Sequence, residues 1–126
     1  MNHTRRQQRR RRTHRRGLRA EYAAALWLQL KGYRLLARRY KTPVGEIDLI
    51  MRRGRTLAII EVKARPTHAA AAAAIHAENQ SRVVRAAQYF LVSHSGYADF
   101  EVRFDAVLIA WYSWPKHVPH AFSLPA

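Results

Sequence analysis

Two short segments, Gly45-Glu46-Ile47-Asp48-Leu49-Ile50 and Ile59-Ile60-Glu61-Val62-Lys63, carry residue types from which a hydrolytic site can be built. Both otherwise read as buried β-strands. Side chains alternate between faces along a strand, so Glu46, Asp48 and Ile50 share one face. By the same period Leu57, Ile59, Glu61 and Lys63 share a face, with Ala58, Ile60 and Val62 opposite. Apart from these charges the faces are largely apolar, as expected for strands covered on both sides. Burying charge there is costly unless it is paired or binds a cation. A divalent metal held between the strands by Asp48 and Glu61, with Lys63 beside it, meets that requirement and suits phosphodiester hydrolysis. Carboxylate oxygens favour Mg²⁺, with Mn²⁺ as the alternative. Such an ion can generate hydroxide and stabilise a departing oxygen, while Lys63 holds the attacking water or neutralises phosphate charge. The same spacing also admits a structural salt bridge, Asp48 or Glu61 with Lys63.

Bringing these groups together calls for a hairpin. A four-residue loop, Arg52-Arg53-Gly54-Arg55, predicts Met51 opposite Thr56, Asp48 opposite Ile59 and Glu46 opposite Glu61. Asp48 and Glu61 then become diagonal neighbours about 7–8 Å apart, within reach of one ion. Upstream, Gly17–Gly32 predicts an amphipathic helix with apolar recurrence at Leu18, Tyr22, Leu26 and Leu30 and a Gly stop. Tyr33–Tyr40 predicts a first strand, Thr42–Gly45 a turn, and Gly45–Met51 and Thr56–Lys63 the hairpin strands. Pro66 to Ala74 reads as a loop, partly helical through its six alanines. Gln80–Val92 predicts a second long helix, with Val83, Val84, Ala87, Phe90 and Leu91 as its apolar stripe. Phe100–Trp111 predicts a last strand, and Trp114–Ala126 carries no assignment. The order is α-β-β-β-α-β: one α/β domain over 17–126, with a mixed sheet flanked by helices.

At 126 residues the chain supports a single core. Lys and Arg total 23 against 8 Asp and Glu, a net charge of +15, which points to a polyanionic partner, nucleic acid foremost. Nine arginines and no acid fall within residues 1–20, so the folded part is only moderately basic. Residues 1–16 read as a disordered Arg-rich arm, either a nucleic-acid arm or a solvated tail. There is no cysteine, which excludes disulfides, thiolate ligands and a Cys nucleophile and accords with a reducing, cytoplasmic setting. No apolar run approaches the ~18 residues that span a bilayer, so no membrane partner is expected. The Arg-rich start lacks the apolar stretch of a secretory signal. No Gly-rich phosphate loop or Gly-x-Ser-x-Gly elbow is present, against ATP-driven or α/β-hydrolase chemistry.

With these residues in view the chain resembles the YraN-type group of uncharacterised bacterial proteins, within the restriction-endonuclease-like, PD-(D/E)-x-K superfamily. The likeness rests on Gly45 to Ile50 and on Glu61-Val62-Lys63-x-Arg65. It extends through Gly17-x-x-Ala20-Glu21-x-x-Ala24, Gly32-Tyr33, Arg82 with Ala86, Tyr89-Phe90-Leu91 and Arg103-Phe104-Asp105. It implies a restriction-endonuclease-like fold, with Asp48 and Glu61 as metal ligands, the Val62 carbonyl as a third, and Lys63 as the catalytic lysine. It also implies that Glu21, on the first helix, is an auxiliary carboxylate. Read alone, Glu21 is either that group or an exposed Glu favoured by the helix dipole. The superfamily's Pro-Asp is here Ile47-Asp48, and Asn79 stands where the family usually has a base.

Gln80 falls on the apolar stripe of its helix and reads either as a buried hydrogen-bonding group or as an active-site residue, as in some branches of the superfamily. Glu46 reads either as a group behind Asp48 or as a solvent-facing residue. Arg65 and Arg82 are candidates for binding phosphates that flank the cleaved bond. Trp111-Tyr112-Ser113-Trp114 reads as core or an oligomer contact in preference to a base-stacking surface. His117-x-x-His120 has a ligand-like spacing in a Pro-containing tail and reads as incidental. The expectation is a Mg²⁺- or Mn²⁺-dependent nuclease acting on DNA, branched substrates or processed ends included, with a homodimer required for concerted cleavage of two strands. The alternative is a nucleic-acid-binding protein that keeps the fold without cleaving.

Overall fold

Alternating apolar residues in Gly45–Arg53 (β2) and Thr56–Arg65 (β3) form the central antiparallel hairpin of a five-stranded sheet. The computed structural model describes residues 17–122. The Arg-rich arm over 1–16 and residues 123–126 lie outside them. Arg34–Thr42 (β1) pairs antiparallel with β2, and Glu101–Ala110 (β4) lies parallel to β3. Lys116–Val118 (β5) closes the order β1-β2-β3-β4-β5 as an antiparallel edge. The parallel β3–β4 step needs a crossover. Two helices supply it, His68–Ala77 (α2) and Ser81–Ser93 (α3). With the first helix over residues 17–30 (α1), the expected α-β-β-β-α-β order stands, with α2 and β5 added.

Helices cover both faces. Ala24, Ala25 and Leu28 of α1 pack on Leu49, Met51, Ala58, Ile60 and Val107. On the other face Val83, Val84, Ala87 and Phe90 of α3 meet Ile50, Leu57, Ile59 and Phe104. Ala71 and Ile75 of α2 sit against Ala106 and Leu108. Helix α1 stops where expected. Gly32 takes φ 92°, and the Gly32 and Tyr33 amides donate back to the Gln29 and Leu28 carbonyls in a Schellman arrangement.

Four expectations are corrected. Tyr22, Leu26 and Leu30 are exposed, so the buried face of α1 is the Ala20-Ala24-Ala25-Leu28 face, whose small residues let the helix approach the sheet closely. The six-alanine run is fully helical: Ala has the highest helix propensity, and the Thr67 hydroxyl caps the helix by accepting from the Ala70 amide. The hairpin loop has two residues instead of four, with Arg53 opposite Thr56 and Gly54 at φ 60° as in a primed turn. The pairing therefore moves by two residues. That shift preserves which side chains share a face, because the strand period is two. Finally, the Trp111–Trp114 segment is a surface turn, neither core nor buried.

The buried Asp105 of β4 ties β5 to the sheet. It accepts from the Arg103 guanidinium, His117 Nε2 at 2.8 Å and the His120 backbone amide at 3.2 Å. His117 thus serves this network. Burial works against the Asp105 charge, but the His117 and Arg103 hydrogen bonds hold its carboxyl below the usual range. Among the described residues no helix is long and apolar enough to cross a membrane.

Gly45 sets the distance between β2 and α3. A Cβ there would lie 2.5 Å from the Arg82 carbonyl oxygen and 3.1 Å from its carbon, both backbone atoms that cannot swing away. Gly45→Ala is expected to push α3 from the sheet and cost about 1–3 kcal/mol, as overpacking does. Urea denaturation measures it, and an unchanged midpoint would disprove the close approach.

Candidate active site

The sheet splits between Asp48 and Glu61. Residues 45–47 of β2 pair with β1 alone, the β2–β3 ladder ends at Leu49–Ile60, and residues 61–65 of β3 pair with β4 alone. At the split, Asp48 Oδ2 accepts the Val62 amide at 2.8 Å, so a carboxylate replaces a carbonyl of the ladder. Ile47 and Ile50, three residues apart, enter the same core cluster, so the regular alternation of faces breaks at Asp48. On β1, Arg38 pairs with Leu49 and Tyr40 with Ile47. Arg39 lies between them at φ 52°, a region non-glycine residues rarely occupy.

The opening is a cleft of about 420 Å³ whose lining includes Glu21, Asp48, Glu61, Val62, Lys63 and Arg65. Five residues read from the sequence as ligands or catalytic groups thus meet in one place, with Arg65 at the exposed rim. Glu21 is buried on the sheet-facing side of α1, which excludes the exposed-helix alternative. Glu46 is the solvent-facing one, linked to Glu21 through Arg39, whose Nε lies 3.8 Å from Glu21 and 3.7 Å from Glu46. Gln80 and Arg82 do not line the cleft. Gln80 precedes α3 and its Nε2 donates to the Ile75 carbonyl at 2.8 Å, a bond that joins α2 to α3. Arg82 is exposed on the first turn of α3.

Glu78 escaped the sequence reading. It caps the C-terminal end of α2, where its side chain ion-pairs with Lys63 Nζ and hydrogen-bonds Glu61. Lys63 therefore pairs with neither Asp48 nor Glu61. An acid at a helix C-terminus is locally unfavourable, which is a signal for a tertiary partner once the helix is recognised. Without α2 in the predicted order, nothing in the local sequence marked the residue.

Crowding of acids in a buried place governs the electrostatics. Burial pushes Glu61 up to about 8, with the Glu78 carboxylate adding to the rise and Lys63 opposing it. Burial likewise pushes Glu21 up to about 7, reinforced by Asp48 and opposed by Arg39. Asp48 is raised by burial too, against the pull of the Val62 amide and Lys63. For Glu78, burial is outweighed by the hydrogen bonds from Lys63 and Glu61, which hold it below the usual value.

The donor set fits a hydrated divalent ion. Among the described residues no group of three or more His, Asp or Glu side chains encloses an ion site. Mg²⁺ does not require one, since it keeps several waters and takes one or two carboxylates. The Oε2 atoms of Glu61 and Glu21 are both buried without a hydrogen-bond partner, and a carboxylate oxygen in that state is expensive. A cation would satisfy such atoms and relieve the repulsion among the acids.

The raised Glu61 pKa has a definite consequence for stability. The folded state holds this proton more tightly than the unfolded chain, so stability falls as pH rises from about 4.5 to about 8. Glu61→Gln is expected to stabilise the metal-free protein by on the order of 1–3 kcal/mol above that window, the gain shrinking toward zero below it. Urea titrations across pH measure the gap. A gap that does not change with pH would show that the carboxyl does not titrate in this range.

The family model described as "Uncharacterised protein family UPF0102" matches residues 20–109, which contain every group just described. A "UPF0102 protein" of Methylorubrum extorquens (strain PA1) is 56% identical over 116 residues, covering 92% of this chain and 91% of the relative. One from Methylorubrum populi is 55% identical over 118 residues, covering 94% of each. Another, from Parvibaculum lavamentivorans, is 54% identical over 106 residues, covering 84% of this chain and 80% of the relative. The chain belongs to the UPF0102 family, the YraN-type group its sequence resembles.

Proposed function

We propose that this protein is a metal-dependent nuclease of restriction-endonuclease-like fold that hydrolyses phosphodiester bonds, in DNA by preference. The observation that supports this reading best is the meeting of Asp48, Glu61, Val62 and Lys63 in one cleft where the central sheet splits. Asp48, Glu61 and the Val62 carbonyl would hold Mg²⁺ or Mn²⁺. When bound, the ion neutralises charge on the phosphate and acidifies a water. The chain's own residues do the positioning. Lys63 brings a second positive charge to the same cleft, where its ammonium orients the nucleophilic water or offsets negative charge building on the phosphate. Glu78 sets where that ammonium sits before substrate arrives. Glu21, buried against the site and linked to Arg39, supplies the auxiliary carboxylate. Arg65, exposed at the rim, can take an adjacent phosphate as a bidentate fork.

One observation favours the non-cleaving reading. Lys63 is already engaged by Glu78, and burial raises Glu61 to about 8, so the metal-free site ties up its lysine and favours the neutral form of one of its acids. A nucleic-acid binder could stop there, its affinity supplied by the net charge of +15 and falling steeply with salt.

Incubation with Mg²⁺ or Mn²⁺ on labelled linear, flapped and four-way-junction DNAs separates the two. Cutting by the wild type and a loss of at least about 100-fold in the Asp48→Asn, Lys63→Ala double variant are expected, as for removal of catalytic proton-transfer and charge-stabilising groups. Binding by both proteins with cutting by neither would leave the binder.

A further inference from the structure

The turn that follows β4 places three aromatic side chains beside the acidic cleft. Trp111 lines the cleft itself, and it also lines a neighbouring cavity of about 370 Å³ together with Arg19 and Ala64. Trp111 is 54% exposed, Tyr112 99% and Trp114 78%. The four residues of the turn frame a further groove of about 310 Å³.

The base of this turn is anchored. The Trp114 ring stacks on Trp27 of α1 at 5.6 Å and 27°, and its carbonyl accepts from His68 Nε2 at 3.0 Å. Lys31 Nζ lies over the Trp27 ring, 5.1 Å from its centre. The Ser113 amide donates to the Ala110 carbonyl. The fold thus holds the turn in place while leaving Tyr112 in solvent. Contiguous exposed apolar surface on a protein marks a contact surface.

Charge decides among occupants. Arg19 and Arg65 flank the aromatic turn, so its edges offer positive charge to an anionic occupant. A polyanion with flat apolar faces suits both features. Unpaired nucleotides have that character, since their bases offer π-faces that a continuous duplex hides, whereas arginines track the phosphates.

We propose that Trp111–Trp114 is a stacking platform for unpaired nucleotides, so that the strand entering the acidic cleft is single-stranded where it passes this turn. This builds on the nucleic-acid reading of the cleft and adds the form of the substrate: a flap, an end or another region of unpaired bases.

The test is made on the full chain in the presence of EDTA, so that no cleavage is needed. Binding is compared for a short oligothymidylate, a base-free abasic chain with the same number of phosphates, and a duplex of equal length. The wild type is expected to prefer the oligothymidylate over the base-free chain by about ten-fold, the scale of a base stacked on an aromatic ring. Tyr112→Ala is expected to lose that preference while binding the base-free chain unchanged, and Tyr112→Phe to keep it. Because Tyr112 is fully exposed, its replacement leaves the core intact. Equal wild-type affinity for the two single-stranded ligands, or equal weakening of both by Tyr112→Ala, would overturn the platform and leave the nuclease reading standing. Self-association that is lost in Tyr112→Ala, with oligothymidylate binding unaltered, would overturn it in favour of a subunit contact. Binding to none of the ligands would remove the nucleic-acid reading as well. Base-dependent binding by a protein that cuts nothing with Mg²⁺ would retain the platform and remove the nuclease.

Discussion

Asp48 takes the backbone amide of Val62, and much of the molecule is arranged around that one hydrogen bond. A strand in the middle of a sheet ordinarily satisfies its neighbour's amides with carbonyls, and an amide left unpaired in the interior carries a substantial free-energy cost. Here the side chain supplies the acceptor, which allows β2 to turn away from β3 without leaving Val62 unsatisfied. The split produces the cleft. It also leaves the last residues of β3, Glu61 to Arg65, with β4 as their one strand partner. Glu61 and Lys63 can then face an opening instead of another strand.

The consequence is an accumulation of acids that the protein balances from two sides. Arg39 approaches from β1 in a left-handed backbone conformation, opposite Asp48, and reaches toward Glu21 and Glu46. Such a conformation in a residue with a side chain costs on the order of 1–3 kcal/mol and concentrates at functional sites. Glu78 approaches from α2, where it binds Lys63 and takes a hydrogen bond from Glu61. The two arrangements differ in sense. Arg39 lowers the repulsion among the acids, whereas Glu78 adds an acid and secures the lysine. The raised Glu61 pKa and the carboxylate oxygens left without a hydrogen bond are the residue of that balance. If Glu61 holds a cation as proposed, its proton release and cation binding are coupled, since a ligand carboxylate must be ionised to bind metal.

Legibility in the sequence followed the range of the interaction that places each residue. Glu46, Asp48, Glu61 and Lys63 were readable because strand alternation is local, and it survived an error in the hairpin. A loop of two residues in place of four moved the pairing by an even number, so the hairpin error by itself flipped no side chain, and only the break in alternation at Asp48 departs from the expected faces. The apolar stripe of α3 was readable for the same reason, with Val83, Val84, Ala87 and Phe90 all buried. Helix α1 misled because side-chain size was taken as a guide to burial: Leu26 and Leu30 are in solvent, while Ala24 and Ala25 touch the sheet. Helix α2 gave no apolar periodicity at all, since alanines surround it on most sides.

By itself, then, the sequence determined the order of the main strands and of helices α1 and α3, the two strands that carry the acids, and the residue types available for chemistry. Each of these depends on propensity or on a two- or three-residue period, which short stretches of chain express without help. Only the tertiary structure decided that Glu21 is buried beside Asp48, that Glu78 claims Lys63, that Gln80 joins two helices, and that Trp111 to Trp114 face solvent next to the cleft. Those outcomes depend on how closely helices approach a twisted sheet and on where a crossover ends. Contacts between residues distant in sequence set both, and no local pattern encodes them.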